Sequence, residues 1–113
     1  MGTMLASFHT GGQPAGGATM PVARLSGAKT ERVTTSATSA RTTFAALQGG
    51  SGTKNDGGLC TVTAVGVNLW VSTAATAVYP TAGTNADGFP VMSGQSITFA
   101  VKVGEKIAAI EFT

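Results

Sequence analysis

Side chains able to do chemistry are scarce in this chain. It carries one histidine, His9, one cysteine, Cys60, and five carboxylates, Glu31, Asp56, Asp87, Glu105 and Glu111. A structural zinc centre draws about four nitrogen or sulfur ligands, and one His with one Cys cannot supply them within a subunit. A Ser–His or Cys–His nucleophile needs its base held within hydrogen-bond reach, yet His9 lies in a stretch without regular period. A glycosidase pair needs two carboxylates fixed at close range on a scaffold. Here most acids fall at predicted turns, and Asn55-Asp56 and Asn85–Asp87 read as turns rather than as converging calcium ligands. The run Gly49-Gly50-Ser51-Gly52-Thr53-Lys54-Asn55-Asp56-Gly57-Gly58 lacks the preceding apolar strand, the Lys-Ser/Thr ending and the following helix of a phosphate cradle. It reads as a mobile loop. The expectation is a protein that is not an enzyme and holds neither metal nor cofactor.

The elements that could position anything begin with Leu59–Thr73. Cys60, Val62 and Ala64 share one face of a strand, and Val67, Leu69 and Val71 share one face of the next. Gly66 stands between them, so the stretch predicts a central hairpin. Cys60 is then a small core hydrophobe, because no cationic cluster surrounds it to make a reactive thiolate. Trp70 falls with Asn68 and Ser72 on the outer face. A Trp there is a candidate partner contact; cover by an arm or loop of the same subunit is the other reading.

Strands should follow and precede this pair. Residues 31–38 are rich in Thr and Ser and predict an edge strand. Residues 42–47 carry Phe44 and Leu47 and predict a second short strand, with a single helical turn at 45–47 as the rival. Ala74–Gly88 is a long connection, and Tyr79-Pro80 makes an extended corner in it. Phe89–Met92 contains Pro90, which confines it to an edge or a strand start. Residues 95–103 alternate with Ile97, Phe99, Val101 and Val103 inward. Residues 106–112 close the domain with Ile107, Ile110 and Phe112 inward. Short strands separated by glycine turns define an all-β class, a small antiparallel β-sandwich, jelly-roll-like, of about 6–8 strands.

Residues 1–28 read differently from residues 29–113. Gly11-Gly12-Gln13-Pro14-Ala15-Gly16-Gly17 has neither period, and the apolar side chains Leu5, Phe8, Met20, Val22 and Leu25 are scattered. The expected organisation is an extended N-terminal arm, 1–28, and a β-sandwich domain, 29–113. Fixing 28 backbones costs roughly 30 kcal/mol, which takes on the order of a thousand Å² of apolar burial to offset. That surface must come from the body of the protein or from a neighbouring chain; a partner is the expected anchor, and an arm lying along its own domain is the other reading. Leu5, Phe8, Met20, Val22, Leu25, Trp70 and Tyr79 are therefore the candidate partner-binding residues.

Composition narrows the class of partner. Charged residues make up 11% of the chain, under half the ordinary globular share. A surface of Thr, Ser, Asn, Gly and Ala is weakly defended against association. The net charge of +2 and the scattered Arg24, Lys29, Arg32 and Arg41 do not make a nucleic-acid surface. No apolar run approaches a membrane span, and the first residues lack the pattern of a signal peptide. The expectation is a protein made in a cytoplasm, with no nucleic-acid or membrane partner.

Several runs together resemble a known group. They are Ser39-Ala40-Arg41-Thr42, Leu59–Thr63, Asn68-Leu69-Trp70-Val71, Gly88-Phe89-Pro90-Val91-Met92-Ser93-Gly94-Gln95, Ile97-Thr98-Phe99 and Gly104-Glu105-Lys106-Ile107-Ala108-Ala109-Ile110. Over about residues 30–113 the pattern resembles the small β-sandwich decoration, cement or head-stabilising proteins of tailed bacteriophages. The resemblance implies a structural protein on the capsid exterior of the virion, made in the host cytoplasm. Its partners would be the major capsid protein and other copies of itself, in a homo-oligomer such as a trimer. The chain departs from the pattern at its first 28 residues and stops at Thr113, where some relatives would continue with another strand. A head–tail connector or tail component, and a host- or carbohydrate-binding module using Trp70 and Tyr79, are the alternatives. If the arm does the binding, deletion of residues 1–25 should abolish capsid attachment without unfolding the domain.

Overall fold

A computed structural model of the chain describes residues 1–9, 11–12, 22–23, 29–46 and 56–113. The protein is all-β, a small sandwich of two antiparallel four-stranded sheets, with no helix among the described residues. The strands are β1 Gly2–His9, β2 Gly11–Gly12, β3 Val22–Ala23, β4 Lys29–Thr35, β5 Ala40–Arg41, β6 Asp56–Val65, β7 Asn68–Ser72, β8 Phe89–Val91, β9 Ser96–Lys102 and β10 Ala108–Phe112. The first sheet has the order β4-β1-β6-β9 and the second β5-β10-β7-β8, while β2 and β3 pair only with each other.

The first nine residues are not an arm. β1 lies inside the first sheet, with Met4 opposite Val33 of β4 and Ala64 of β6. Its alternation, read as scatter in the sequence, is strand period: Met4, Ala6 and Phe8 are buried, and Leu5 and Ser7 face outward. The expected boundary at 28/29 therefore does not separate arm from domain. β2 and β3 pair Gly11 with Ala23 and Gly12 with Val22. Deleting residues 1–25 would remove an inner strand, so it cannot report on attachment alone.

Leu59–Thr73 keeps its faces and loses its pairing. Cys60, Val62, Ala64, Leu69 and Val71 are all buried, but β6 and β7 belong to different sheets. The chain crosses from one layer to the other through Gly66 and Val67, with Gly66 at φ +82°, a conformation that favours glycine. β6 also begins earlier than expected, at Asp56, with a shift of register against β9 between Asp56 and Leu59. A hairpin at 66–67 and a crossing there turn the same side chains inward, so alternation cannot choose between them.

Three smaller expectations change. Residues 42–46 form no strand; Thr42 is buried, its N–H donates to the Ile107 carbonyl and its hydroxyl accepts from Ile107 N–H. Leu47 and residues 48–55 lie outside the described residues. Val103 follows the end of β9 and is 42% exposed rather than inward. In β10 the expected set divides: Ile107 is buried as expected, Ala109 is buried and Glu111 follows in the same phase, while Ile110 and Phe112 turn outward.

That phase works because Glu111 is satisfied. Its carboxylate accepts from Gly2 N–H at 2.9 Å and from the buried Thr35 hydroxyl at 2.8 Å, and its own N–H donates to the Ser36 carbonyl. One side chain thereby ties β1, β4 and β10 together across the two sheets. The Thr35 hydroxyl bond, the Gly2 amide bond and the nearby N-terminal charge hold its pKa below the usual carboxylate range. Glu31 does similar work at the sandwich edge. Burial alone would raise its pKa, but bonds from Thr43 N–H, Phe44 N–H and the Thr43 hydroxyl bring it down.

The core between the sheets is Met4, Ala6, Phe8, Val33, Cys60, Val62, Ala64, Leu69, Val71, Val91, Val101, Ile107 and Ala109, with Phe44 packed against its margin. Phe8 and Phe44 meet with ring centroids 5.3 Å apart and tilted at 55°, a favoured aromatic geometry.

Candidate functional site

The outer face of the second sheet is built from its alternation. Along β7, Leu69 and Val71 point into the core, so Trp70 points out. Register sets Trp70 between Ile110 of β10 and Pro90 of β8, and Asn68 opposite Phe112. Ser72, expected outward with Trp70, is buried, and its hydroxyl accepts from Ala74 N–H as the chain leaves the strand.

The long connection 73–88 brings the next aromatic to this face. Ala77 is buried and its N–H donates to the Ser39 hydroxyl, which pins the start of the connection beside β5. Tyr79 then lies flat on Phe112, with ring centroids 4.5 Å apart and planes 12° from parallel. It meets Trp70 edge-on at 5.8 Å. The Tyr79–Pro80 bond is trans.

Trp70 is locked in place at its other side. Its indole N–H donates to the Asp87 carbonyl at 3.1 Å. Gly88 adjoins the ring with φ +134°, and a Cβ there would fall on the Val71 carbonyl and the indole edge. Only glycine satisfies that backbone and that approach.

Outside this locked group lie exposed apolar side chains. Tyr79 is 41% exposed, Val78 61% and Phe89 63%. Phe89 is paired with Val71 and so turns to the inner side at the β8 edge, whereas Tyr79 joins the half-buried Trp70, Ile110 and Phe112 in an apolar outer face. No acid, base or nucleophile is part of it. Among the described residues no three His, Cys, Asp or Glu side chains gather as metal ligands. Cys60 is buried under the first sheet, and burial pushes its thiol up to about 12.

The outer face of the first sheet is chemically different. Hydroxyls pair across its strands: Ser7 with Thr30 at 2.7 Å, Thr61 with Thr98 at 2.8 Å and Thr63 with Ser96 at 2.6 Å. His9 Nε2 lies 2.9 Å from the Thr61 hydroxyl at the end of this array.

The seven expected contact residues divide accordingly. Trp70 and Tyr79 come together on the second sheet. Phe8 is 4% exposed and belongs to the core, so it is withdrawn as a partner contact. Leu5 is half-buried on the other outer face, between Arg32 and Thr63. The Val22 backbone pairs with Gly12, and Met20 and Leu25 fall outside the described residues. Sequence reasoning missed Ile110 and Phe112. Phe112 was hidden because hydrophobicity alone puts Phe inward and Glu outward in β10. No family model, curated protein or solved structure matches this chain.

Proposed function

We propose that this protein is a structural virion component that decorates and cements a bacteriophage capsid by bridging capsid subunits. The observation that supports the reading is the apolar outer face of the second sheet, Trp70, Tyr79, Ile110 and Phe112, on a chain with 11% charged residues. Aromatic side chains held rigidly on a sheet lose little entropy when a partner covers them. Cementing requires that kind of area rather than a catalytic group. The pattern over residues 30–113 supplies the kind of partner. The attachment surface in this reading is the aromatic face.

The test is cosedimentation of the full chain with heads of the phage that encodes it, read beside Tyr79→Ser and Ile110→Ser variants. Wild type should bind and the double variant should lose most of that binding with unchanged far-UV circular dichroism. Equal binding by both, or none by wild type, would sink the assignment.

A second reading, a carbohydrate- or host-binding module, is favoured by the same Trp70–Tyr79 pair. Sugar rings stack on open aromatic faces, whereas one face of Tyr79 is taken by Phe112 and the Trp70 N–H is spent on Asp87. A glycan array with signals that vanish on Tyr79→Ala would favour this module over the cement protein.

A further inference from the structure

Each of the two sheets has two outer edges, and three of the four are blunted. β5 has two residues, and β8 has three including Pro90. β4 carries Lys29, Glu31 and Arg32, and its Glu31 carboxylate is bonded to the passing 43–44 backbone. Short length, proline and charge are the usual means by which an edge avoids pairing with another chain. β9 has none of them. It runs seven residues, Ser96–Lys102, with its single charge at the last position.

Its free side can be assigned. Ala64 N–H donates to the Gln95 carbonyl, and the Ala64 carbonyl accepts from Gly94 N–H. Alternation then directs Val62 and Cys60 toward β9, bonded to Ile97 and Phe99, their register partners. The N–H and C=O groups of Ser96, Thr98 and Ala100 point away from the sheet. Among the described residues no strand pairs with that side. On the inner face, Ile97 and Phe99 are only partly buried where the sandwich opens at this edge.

We infer that β9 pairs with β9 of a second copy of this chain, antiparallel about a two-fold axis at Thr98, joining the two first sheets into one eight-stranded sheet. That register faces Ser96 with the partner's Ala100 and Thr98 with the partner's Thr98, using all three free residues. It sets Ile97 beside the partner's Phe99, so each half-open apolar side chain is covered by the other. Lys102 meets the partner's Gly94, so no like charges face each other. The same pairing of β4 would set charge against charge around Arg32. A two-fold interface is self-complementary, which suits an edge that presents the same groups in both directions. The inference is independent of where the protein works.

Sedimentation velocity on the full chain across a concentration series tests it with two variants. Wild type should form a dimer. Thr98→Lys sets two lysines face to face on the axis and should be monomeric throughout, with unchanged far-UV circular dichroism. Thr98→Cys should oxidise to a disulfide-linked dimer, because hydrogen-bonded antiparallel partners sit about 5.5 Å apart at Cα, inside the disulfide range. The buried Cys60 will not compete. A wild type that stays monomeric overturns the inference, as it would if residues 47–55 of the same chain covered this edge. So does an oligomer unaffected by Thr98→Lys, or a Thr98→Cys protein that does not cross-link. Should Thr98→Lys not fold, the cross-link decides.

Discussion

Phe8→Ala separates a strand that builds the domain from an arm that waits for a partner. Phe8 is 4% exposed, lies between Lys29 and Cys60 in the register of the first sheet, and packs on Phe44. Truncation leaves a cavity between the sheets, and Phe→Ala changes in cores cost about 3–5 kcal/mol. Roughly 1 kcal/mol of that belongs to the aromatic pair with Phe44. At about 2.1 cal/mol/K per residue, 113 residues give a melting entropy of about 0.24 kcal/mol/K, so the loss corresponds to about 13–21 °C in Tm. The assay is thermal and urea unfolding of the isolated protein. Leu5→Ala is the control, since Leu5 sits in the same strand on the half-exposed outer face and should cost about 1 kcal/mol or less. A Phe8→Ala protein as stable as wild type, or Leu5→Ala as damaging as Phe8→Ala, would refute the placement of β1 and restore the arm.

Further outcomes follow from the same contacts. Gly88→Ala should cost roughly 2 kcal/mol or more through left-handed backbone strain, and it should alter the emission of Trp70, the sole tryptophan. The depressed carboxyls of Glu111 and Glu31 stabilise the fold fully above the ordinary carboxyl pKa of 4.5, and that contribution is lost as pH falls through their lower folded-state values. Stability should therefore decline below about pH 4.5, and Glu111→Gln should start less stable at neutral pH and decline less steeply. An identical slope for Glu111→Gln would exclude Glu111 as the cause. Cys60, buried and with its thiol pushed up to about 12, should react with a thiol reagent in native buffer only as fast as the sheet opens, and promptly in denaturant.

Much of the inside of this protein is legible in its amino-acid order. The alternation of Cys60, Val62 and Ala64, of Leu69 and Val71, and of Val101 with Ile97 and Phe99 marks the buried faces, because a pleated strand sends successive side chains to opposite sides. Pro90 marks an edge and Gly66 a reversal, for equally local reasons. The candidate contact face was half visible, through Trp70 standing among polar neighbours and Tyr79 in an overlong connection.

What the order of residues left open was pairing. The same inward set serves a β6–β7 hairpin or a crossing between layers, and only the insertion of β1 beside β6 decides for the crossing. β1 itself is obscured in the sequence because its alternation runs directly into a glycine-rich stretch that has no period. β10 shows the reverse case. Its hydrophobic residues suggest one phase, but the other becomes stable once Gly2 N–H and the Thr35 hydroxyl, distant in sequence, satisfy Glu111. That exchange turns Phe112 outward under Tyr79 and completes the aromatic face. Period along a strand is a property of nearest neighbours, so the sequence alone determines it. The choice of partner strand depends on groups more than a hundred residues apart, as from Gly2 to Glu111, and only the folded chain brings them together.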